Sequence, residues 1–313
     1  MIELRNVSRR YAAFVALNDV SLTIGDGEIL VLIGASGSGK STLLQLVNRL
    51  QDPTSGTVSV DGEDIAGVAP EQLRRRMGYV IQGGGLFPHW TVARNIGTVP
   101  RLLGWDRARI AARVDDLLDL LRLDAGRLRN AYPHMLSGGQ QQRVGVARAL
   151  AAHPSILLMD EPFGALDPVT RAELQAEIRR IHTETGCTIV FVTHDMDEAL
   201  SLATRIAIID RGRLVQVATP LDLLAKPATE QVARFIGTTD RGLKLLGVQR
   251  VADRLHDRGV QAEIGPGDPV RDDVPLSAAL SIMIVRGQDR LPVVDPVGAP
   301  LGTLHLSDLV RPP

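Results

Sequence analysis

The stretch Gly34-Ala35-Ser36-Gly37-Ser38-Gly39-Lys40-Ser41 fits the pattern G-x-x-x-x-G-K-[ST] at every fixed position. Its residue types suit phosphate. Glycines let backbone N–H groups curl around phosphate oxygens with no Cβ in the way. Lys40 is placed to reach β- and γ-phosphates, and the Ser41 hydroxyl to ligate Mg²⁺. A second group is Ile156-Leu157-Leu158-Met159-Asp160-Glu161, an apolar run ending in two carboxylates. Asp160 suits the surroundings of the cation, and Glu161, one residue on, suits the attacking water as general base. A third is Leu136-Ser137-Gly138-Gly139-Gln140, a hydroxyl and two glycines ahead of a helical pattern. It reads as a second anion-binding helix N-terminus. One chain needs only one γ-phosphate site, so this device makes sense if it completes the site of another molecule. Ordinary capping by Ser137 accounts for the hydroxyl, but not for two glycines and a glutamine.

The flanking sequence supplies the elements these residues need. Ile29–Ile33 is a continuous apolar run, read as a buried strand leading into the glycine loop. Leu43, Leu44, Leu46, Val47 and Leu50 then fall on one helical face. Ile2, Leu4 and Val7, then Val20, Leu22 and Ile24, then Val58 and Val60 alternate as strands do and predict an antiparallel β-rich edge. From about residue 88 to 152 the texture turns helical, with Ile110, Val114, Leu117, Leu118 and Leu121 at spacings of three and four. Strands then return: 155–159, 188–193 and 206–210, with a helix over 171–182 and a hairpin turn at Arg211-Gly212. Alternation of β and α predicts a mainly parallel sheet, with the helical block inserted into it.

A boundary is expected near 237–247. Beyond it, 248–255 reads as helix, Gly265-Pro266-Gly267 as a breaker and 276–285 as a second helix. Strands over 291–295 and 301–306 and a helix opening at Ser307-Asp308-Leu309 complete a small α/β unit, marginal on its own.

With 313 residues, the chain has room for one large and one small domain. A net charge of −1 and 3% aromatic residues argue against a nucleic-acid partner. The single cysteine, Cys187, excludes an intrachain disulfide framework and fits a reducing cytosol. Met1-Ile2-Glu3-Leu4-Arg5 lacks the apolar region of a signal peptide. No apolar run approaches the roughly 18–20 residues that span a bilayer, so work at a membrane requires other chains to do the spanning.

In order and approximate spacing, the phosphate loop, 136–140, Asp160-Glu161, the turn Ala165-Leu166-Asp167 and His194 resemble the ATP-binding subunits of ABC transporters. The resemblance implies a P-loop NTPase fold over residues 1–237, with an antiparallel β edge and a helical subdomain over about 88–152. It implies ATP and Mg²⁺ as cofactors. Gly34, Ser36, Gly37, Ser38, Gly39, Lys40, Ser41 and Thr42 would hold the phosphates, with Ser41, Gln82 and Asp160 at the metal. Tyr11 resembles the aromatic that stacks on adenine, and Gln82 the glutamine that links the site to the membrane partner. His194 resembles the switch histidine that contacts the γ-phosphate, and Asp167 the aspartate that communicates across the dimer. The implied assembly is a head-to-tail homodimer. In it, Ser137, Gly138, Gly139 and Gln140 of one copy face the ATP held by the other, and Glu161 and His194 act in hydrolysis.

Tyr79-Val80-Ile81-Gln82 with Gly85-Leu86-Phe87-Pro88-His89 is similar to importer ATPases. Phe235-Ile236-Gly237 and Asp240-Arg241-Gly242-Leu243-Lys244-Leu245-Leu246 resemble the segment that follows the ATPase domain in quaternary-ammonium importers for glycine betaine, carnitine or choline. After a linker at 238–247, residues 248–313 resemble one CBS domain. That family often carries two, so the lone copy is expected to pair with its twin across the ATPase dimer. The implied partners are a second copy, transmembrane permease subunits and an extracytoplasmic solute-binding protein. The implied place is the cytoplasmic face of the plasma membrane. An importer for another solute such as amino acids, and a non-transport ABC ATPase, remain alternatives at this point. Gly83-Gly84-Gly85 departs from the usual pattern by leaving the segment after Gln82 free of side chains.

Overall fold

The computed structural model describes residues 1–164, 166–255 and 268–311. Two compact units divide the chain, Met1–Val217 and Ala218–Pro313.

In the first unit, β1 (Ile2–Tyr11), β2 (Phe14–Ile24), β3 (Ile29–Ile33), β4 (Ser55–Val60) and β5 (Glu63–Asp64) are followed by β6 (Met77–Val80), β7 (Ile156–Asp160), β8 (Thr188–Thr193), β9 (Arg205–Asp210) and β10 (Arg213–Ala218). The alternating segments form the expected antiparallel sheet, in the order β2-β1-β4-β5. The continuous apolar runs form a six-stranded sheet, β10-β9-β3-β8-β7-β6. Its β9, β3, β8, β7 and β6 pair in parallel. All five residues of β3 are buried, as a central parallel strand covered on both faces requires. One apolar cluster joins Leu4 and Leu22 of the antiparallel sheet, Leu30 and Val190 of the parallel sheet, and Leu43 and Leu46 of the helix Lys40–Val47. Between β6 and β7 the chain is helical: Val92–Ile96, Thr98–Leu102, Arg107–Leu120, Ala125–Leu128 and Gly138–Leu150. This is the α/β P-loop NTPase architecture with its inserted helical block.

In the second unit, β11 (Val270–Arg271), β12 (Arg290–Val294) and β13 (Pro300–His305) form a small sheet. The helix Leu276–Arg286 buries Leu276, Ala279 and Met283 in the same core as Leu291, Val293 and Leu304. Two expectations fail here. Residues 238–247 are not a linker: Arg241–Val248 is a helix. The Arg241 guanidinium donates to the carbonyls of Leu224 and Ala225, and Lys244 Nζ to Ile236 O at 3.0 Å. These bonds tie the helices Pro220–Ala225, Glu230–Ile236 and Arg241–Val248 together, which is why the contacts divide the chain after Val217 and not at 237. Nor is 248–255 a helix. Only the 3-10 turn Val251–Arg254 forms there, after Gln249 has left helical geometry. The expected breaker at 265–267 lies outside the described residues.

Candidate functional site

Strand order places the chemistry. β3, β8, β7 and β6 are parallel neighbours, so the residues that follow them emerge along one carboxyl edge. Those residues are the phosphate loop after β3, His194 after β8, Asp160-Glu161 at the end of β7, and Gln82 just beyond β6. In register, Ile33 stands beside Thr193 and Asp160 beside Val192.

The loop is shaped for a group larger than its own side chains. Gly39 sits at φ +107°, and a Cβ there would lie 2.4 Å from Ala16 O, so only glycine lets the loop close on β2. The helix Lys40–Val47 starts without a side-chain cap, leaving its first N–H groups and its dipole directed at the loop. Ser38 Oγ is buried without a partner. Ser36 and Gly37 are exposed, and nothing lies within 4 Å of a Cβ at Gly37. Lys40 is buried, and its Nζ donates to Gly34 O at 2.8 Å and Ala35 O at 2.9 Å. Burial pulls its pKa down, while Glu161 and Asp160 resist the shift. An orphaned hydroxyl, an uncapped helix start and an ammonium folded onto carbonyls together fit an anionic phosphate chain. Thr42 lies in the first turn of the same helix.

Ser41 Oγ donates to Asp160 Oδ1 at 2.9 Å. Burial pushes the Asp160 carboxyl above the usual range; the Ser41 bond opposes this, Glu161 adds to it and Lys40 opposes it. Tyr79 is pushed up to about 12 by burial, with Asp160 adding to the effect. Among the described residues, no group of three or more His, Cys, Asp or Glu could hold a metal by itself. A cation at Ser41 and Asp160 therefore needs oxygens from the nucleotide and water, which is how Mg²⁺ is usually bound beside phosphates. A carboxyl with a raised folded-state pKa disfavours the folded state once pH exceeds its unfolded value, and fully above the folded one. Asp160→Asn should therefore raise the Tm of the nucleotide-free protein near pH 7. The gain should shrink as pH falls through the carboxylate range. A thermal melt series over pH checks both parts.

Glu161 is held in a left-handed conformation, φ +45°. Its Oε2 accepts from Gln82 Nε2 at 3.0 Å, and its Oε1 lies 3.4 Å from His194 Nδ1. Strained backbone at a carboxylate gripped by two other polar side chains marks a tuned position. Tyr11 ends β1, partly exposed, with the Arg9 guanidinium 4.7 Å over its ring and its hydroxyl bonded to Gln51.

The Ser137 turn forms a separate group. Ser137 Oγ accepts from Gln140 N at 3.3 Å, and Gln140 Oε1 accepts from Ser137 N at 3.0 Å. This is a capping box, so Gln140 is accounted for as a cap, contrary to expectation. The two glycines differ. A Cβ at Gly139 would meet Thr170 Cγ2 at 2.9 Å, whereas one at Gly138 meets nothing within 4 Å. Ser137, Gly138, Gly139 and Gln140 line an open cleft of about 610 Å³ with Arg122, Arg127 and Asp167, and no phosphate-loop residue lines it. Asp167 caps the helix Pro168–Thr185, accepting from Val169 N and Thr170 N at 3.1 Å each. The Thr170 side chain, then the Thr170 and Val169 backbone bonds, hold its carboxyl below the usual range. Ala165, in the turn before it, lies outside the described residues.

Sequence reasoning missed several residues that brace the site. Arg171 donates to Leu166 O at 3.3 Å and lies 3.5 Å from Asp195 and 3.7 Å from Glu198. It thus ties the segment before Asp167 to the segment after His194. Glu198 is buried and bonded to Thr193. Arg148 is buried against the segment after Gln82. Its one legible signal was a cation within the otherwise apolar run 144–151.

A family model described as ABC transporter matches residues 17–164, and one described as CBS domain matches residues 269–312. The chain is 52% identical to the glycine betaine uptake system ATP-binding protein YehX of Escherichia coli (strain K12), over 99% of each chain. It is 46% identical to the glycine betaine/carnitine/choline transport ATP-binding protein OpuCA of Bacillus subtilis (strain 168), over 94% of this chain and 76% of that one. Among solved structures, it is similar to the dimeric post-hydrolysis state of the ATP-binding cassette MJ0796 bound to ADP and Pi. The TM-score is 0.66 at 34% identity, over 70% of this chain and 99% of that one.

Proposed function

Because this chain belongs to the family of ABC transporter ATP-binding proteins, we propose that two head-to-tail copies hydrolyse ATP to drive import of a quaternary-ammonium osmoprotectant such as glycine betaine, carnitine or choline. The observation that carries the cargo reading is similarity running through the whole chain, phosphate-binding and CBS regions alike.

In this reading, the loop from Gly34 to Thr42 wraps the phosphates, and Lys40 exchanges its carbonyl partners for β- and γ-phosphate oxygens. Tyr11 offers its ring to adenine, steadied by Arg9 and Gln51. Mg²⁺, when bound, neutralises phosphate charge in the transition state. Ser41, Asp160 and Gln82 are the residues that would hold it. Glu161 accepts the proton of the attacking water, and His194 contacts the γ-phosphate across from it. Ser137, Gly138 and Gly139 present a helix N-terminus to the ATP of the other copy, with Asp167 beside them.

Among the described residues, no helix is long and apolar enough to cross a membrane. We place the protein on the cytoplasmic face of the plasma membrane, held by permease subunits, with an extracytoplasmic binding protein supplying the solute. Exposed Ile81 and Phe87, flanking the segment after Gln82, support docking of a permease there. In the CBS unit, Ile284 and Val285 are 70% and 83% exposed, which supports pairing of this lone copy with its twin.

Reconstitution tests the cargo. Vesicles carrying this chain with its permease and binding protein should take up radiolabelled glycine betaine only with ATP, and excess choline or carnitine should compete. Uptake of an amino acid, with none of glycine betaine, would overturn the cargo reading.

A further inference from the structure

Gln82 reaches Glu161 from the end of a segment with almost no side chains of its own. Gly83, Gly84 and Gly85 all lie at left-handed φ, +73°, +79° and +52°. Such a run is floppy unless something outside holds it. Arg148 does so from the helix Gly138–Leu150. Its Nη1 donates to Gly85 O at 2.8 Å and its Nη2 to Gly84 O at 3.0 Å. This guanidinium is buried, and burial lowers its pKa. Its two bonds to this segment go to carbonyl oxygens, not to a carboxylate. Such a cation is expensive to bury, so its place calls for a task at those carbonyls.

Contact on the helix is close. A Cβ at Gly84 would lie 3.2 Å from Gln141 O, and one at Gly145 would lie 3.2 Å from Gly84 O. The far end of the segment is pinned as well. Fully buried Asn95 accepts from Phe87 N at 2.8 Å and donates to Phe87 O at 3.2 Å. Gln82 therefore stands between the end of β6 and a segment, turned by the bond from Gly84 N to Ile81 O, that is clamped to the helix beginning at the Ser137 turn.

We infer that Arg148 is a positioning residue for hydrolysis: through Gly84 and Gly85 it sets where Gln82 stands at Glu161, and so ties Gln82 to the helix that the Ser137 turn opens. This rests on the reading of Glu161 and Gln82 given above. A shift of the Ser137 turn on meeting the other copy's nucleotide is carried along one rigid helix to Arg148, and from there to Gln82. The departure at 83–85 then has a purpose: glycines leave their carbonyls bare for the guanidinium and let the helix approach.

A double-substitution cycle tests this on the full-length chain, with rates counted per titrated nucleotide site. Arg148→Ala should lower kcat about tenfold and leave the KM for ATP within about twofold. Placed on Gln82→Ala, it should cost less than about a further twofold, because its route to the site is already gone. Gly84→Ala, which strains the same segment without removing a buried charge, should repeat both results and decides the matter if Arg148→Ala does not fold. The inference is overturned if these changes leave kcat unaltered, or if they cost the same factor on Gln82→Ala as on the unaltered chain. Glu161→Gln is the control. If that variant keeps its turnover, the reading of the site has failed; if it loses turnover while the cycle is additive, only the role of Arg148 has.

Discussion

Glu161→Gln should bind ATP with undiminished affinity and lose about 10²–10⁴ of its turnover. The amide keeps the shape and can still meet Gln82 and His194, whose distances to the carboxylate are 3.0 and 3.4 Å. It cannot accept a proton from water. The phosphate loop and Lys40 bind through groups this change does not touch. Loss of turnover with binding retained should also trap the ATP-bound pair of chains, visible as a stable species of doubled mass. Weakened nucleotide binding in this variant would assign Glu161 to holding the ligand instead.

Gly138→Asp should be the most damaging change to a residue with no internal neighbour. A Cβ at Gly138 meets nothing within 4 Å, so the monomer has room for the side chain. A carboxylate in the first turn of Gly138–Leu150 even suits the helix dipole. Tm and the nucleotide affinity of the single chain should hold. Hydrolysis should fall about 10²–10³, the loss typical when a preorganised donor to developing charge is removed, because in the proposed pair the new charge would face the other copy's γ-phosphate. Gly139→Ala is a different case: its Cβ would press on Thr170 at 2.9 Å, so a loss there mixes folding with function.

Local chemistry was legible in the sequence and long-range bracing was not. The phosphate loop declares itself because loop, cation and hydroxyl lie within eight consecutive residues, from Gly34 to Ser41. Asp160-Glu161 was readable because a buried parallel strand is a plain apolar run and its end is the sheet edge. The part Gln140 plays in the cap was legible and overlooked. Ser137 and Gln140 stand at the capping-box spacing, and the glutamine spends its side chain on the cap. Arg148 could not be assigned to Gly84 and Gly85 from sequence, since 64 and 63 positions separate them and only the packing of the inserted helices brings them together. The second unit's limits were missed for a related reason: Arg241 and Lys244 bind carbonyls of the preceding helices, a contact that no spacing announces.

Central to this account is a site made of two copies, the phosphate loop of one and the Ser137 turn of the other. In this structure the two groups line different parts of the same unit, and the cleft at Ser137 contains no phosphate-loop residue. The direct measurement is ATP turnover per chain across a protein dilution series, with the mass of the ATP-bound species recorded by light scattering on the same samples. Turnover per chain should track the fraction of paired chains and vanish as they separate. Full turnover per chain in samples whose mass is that of a single copy would contradict the account.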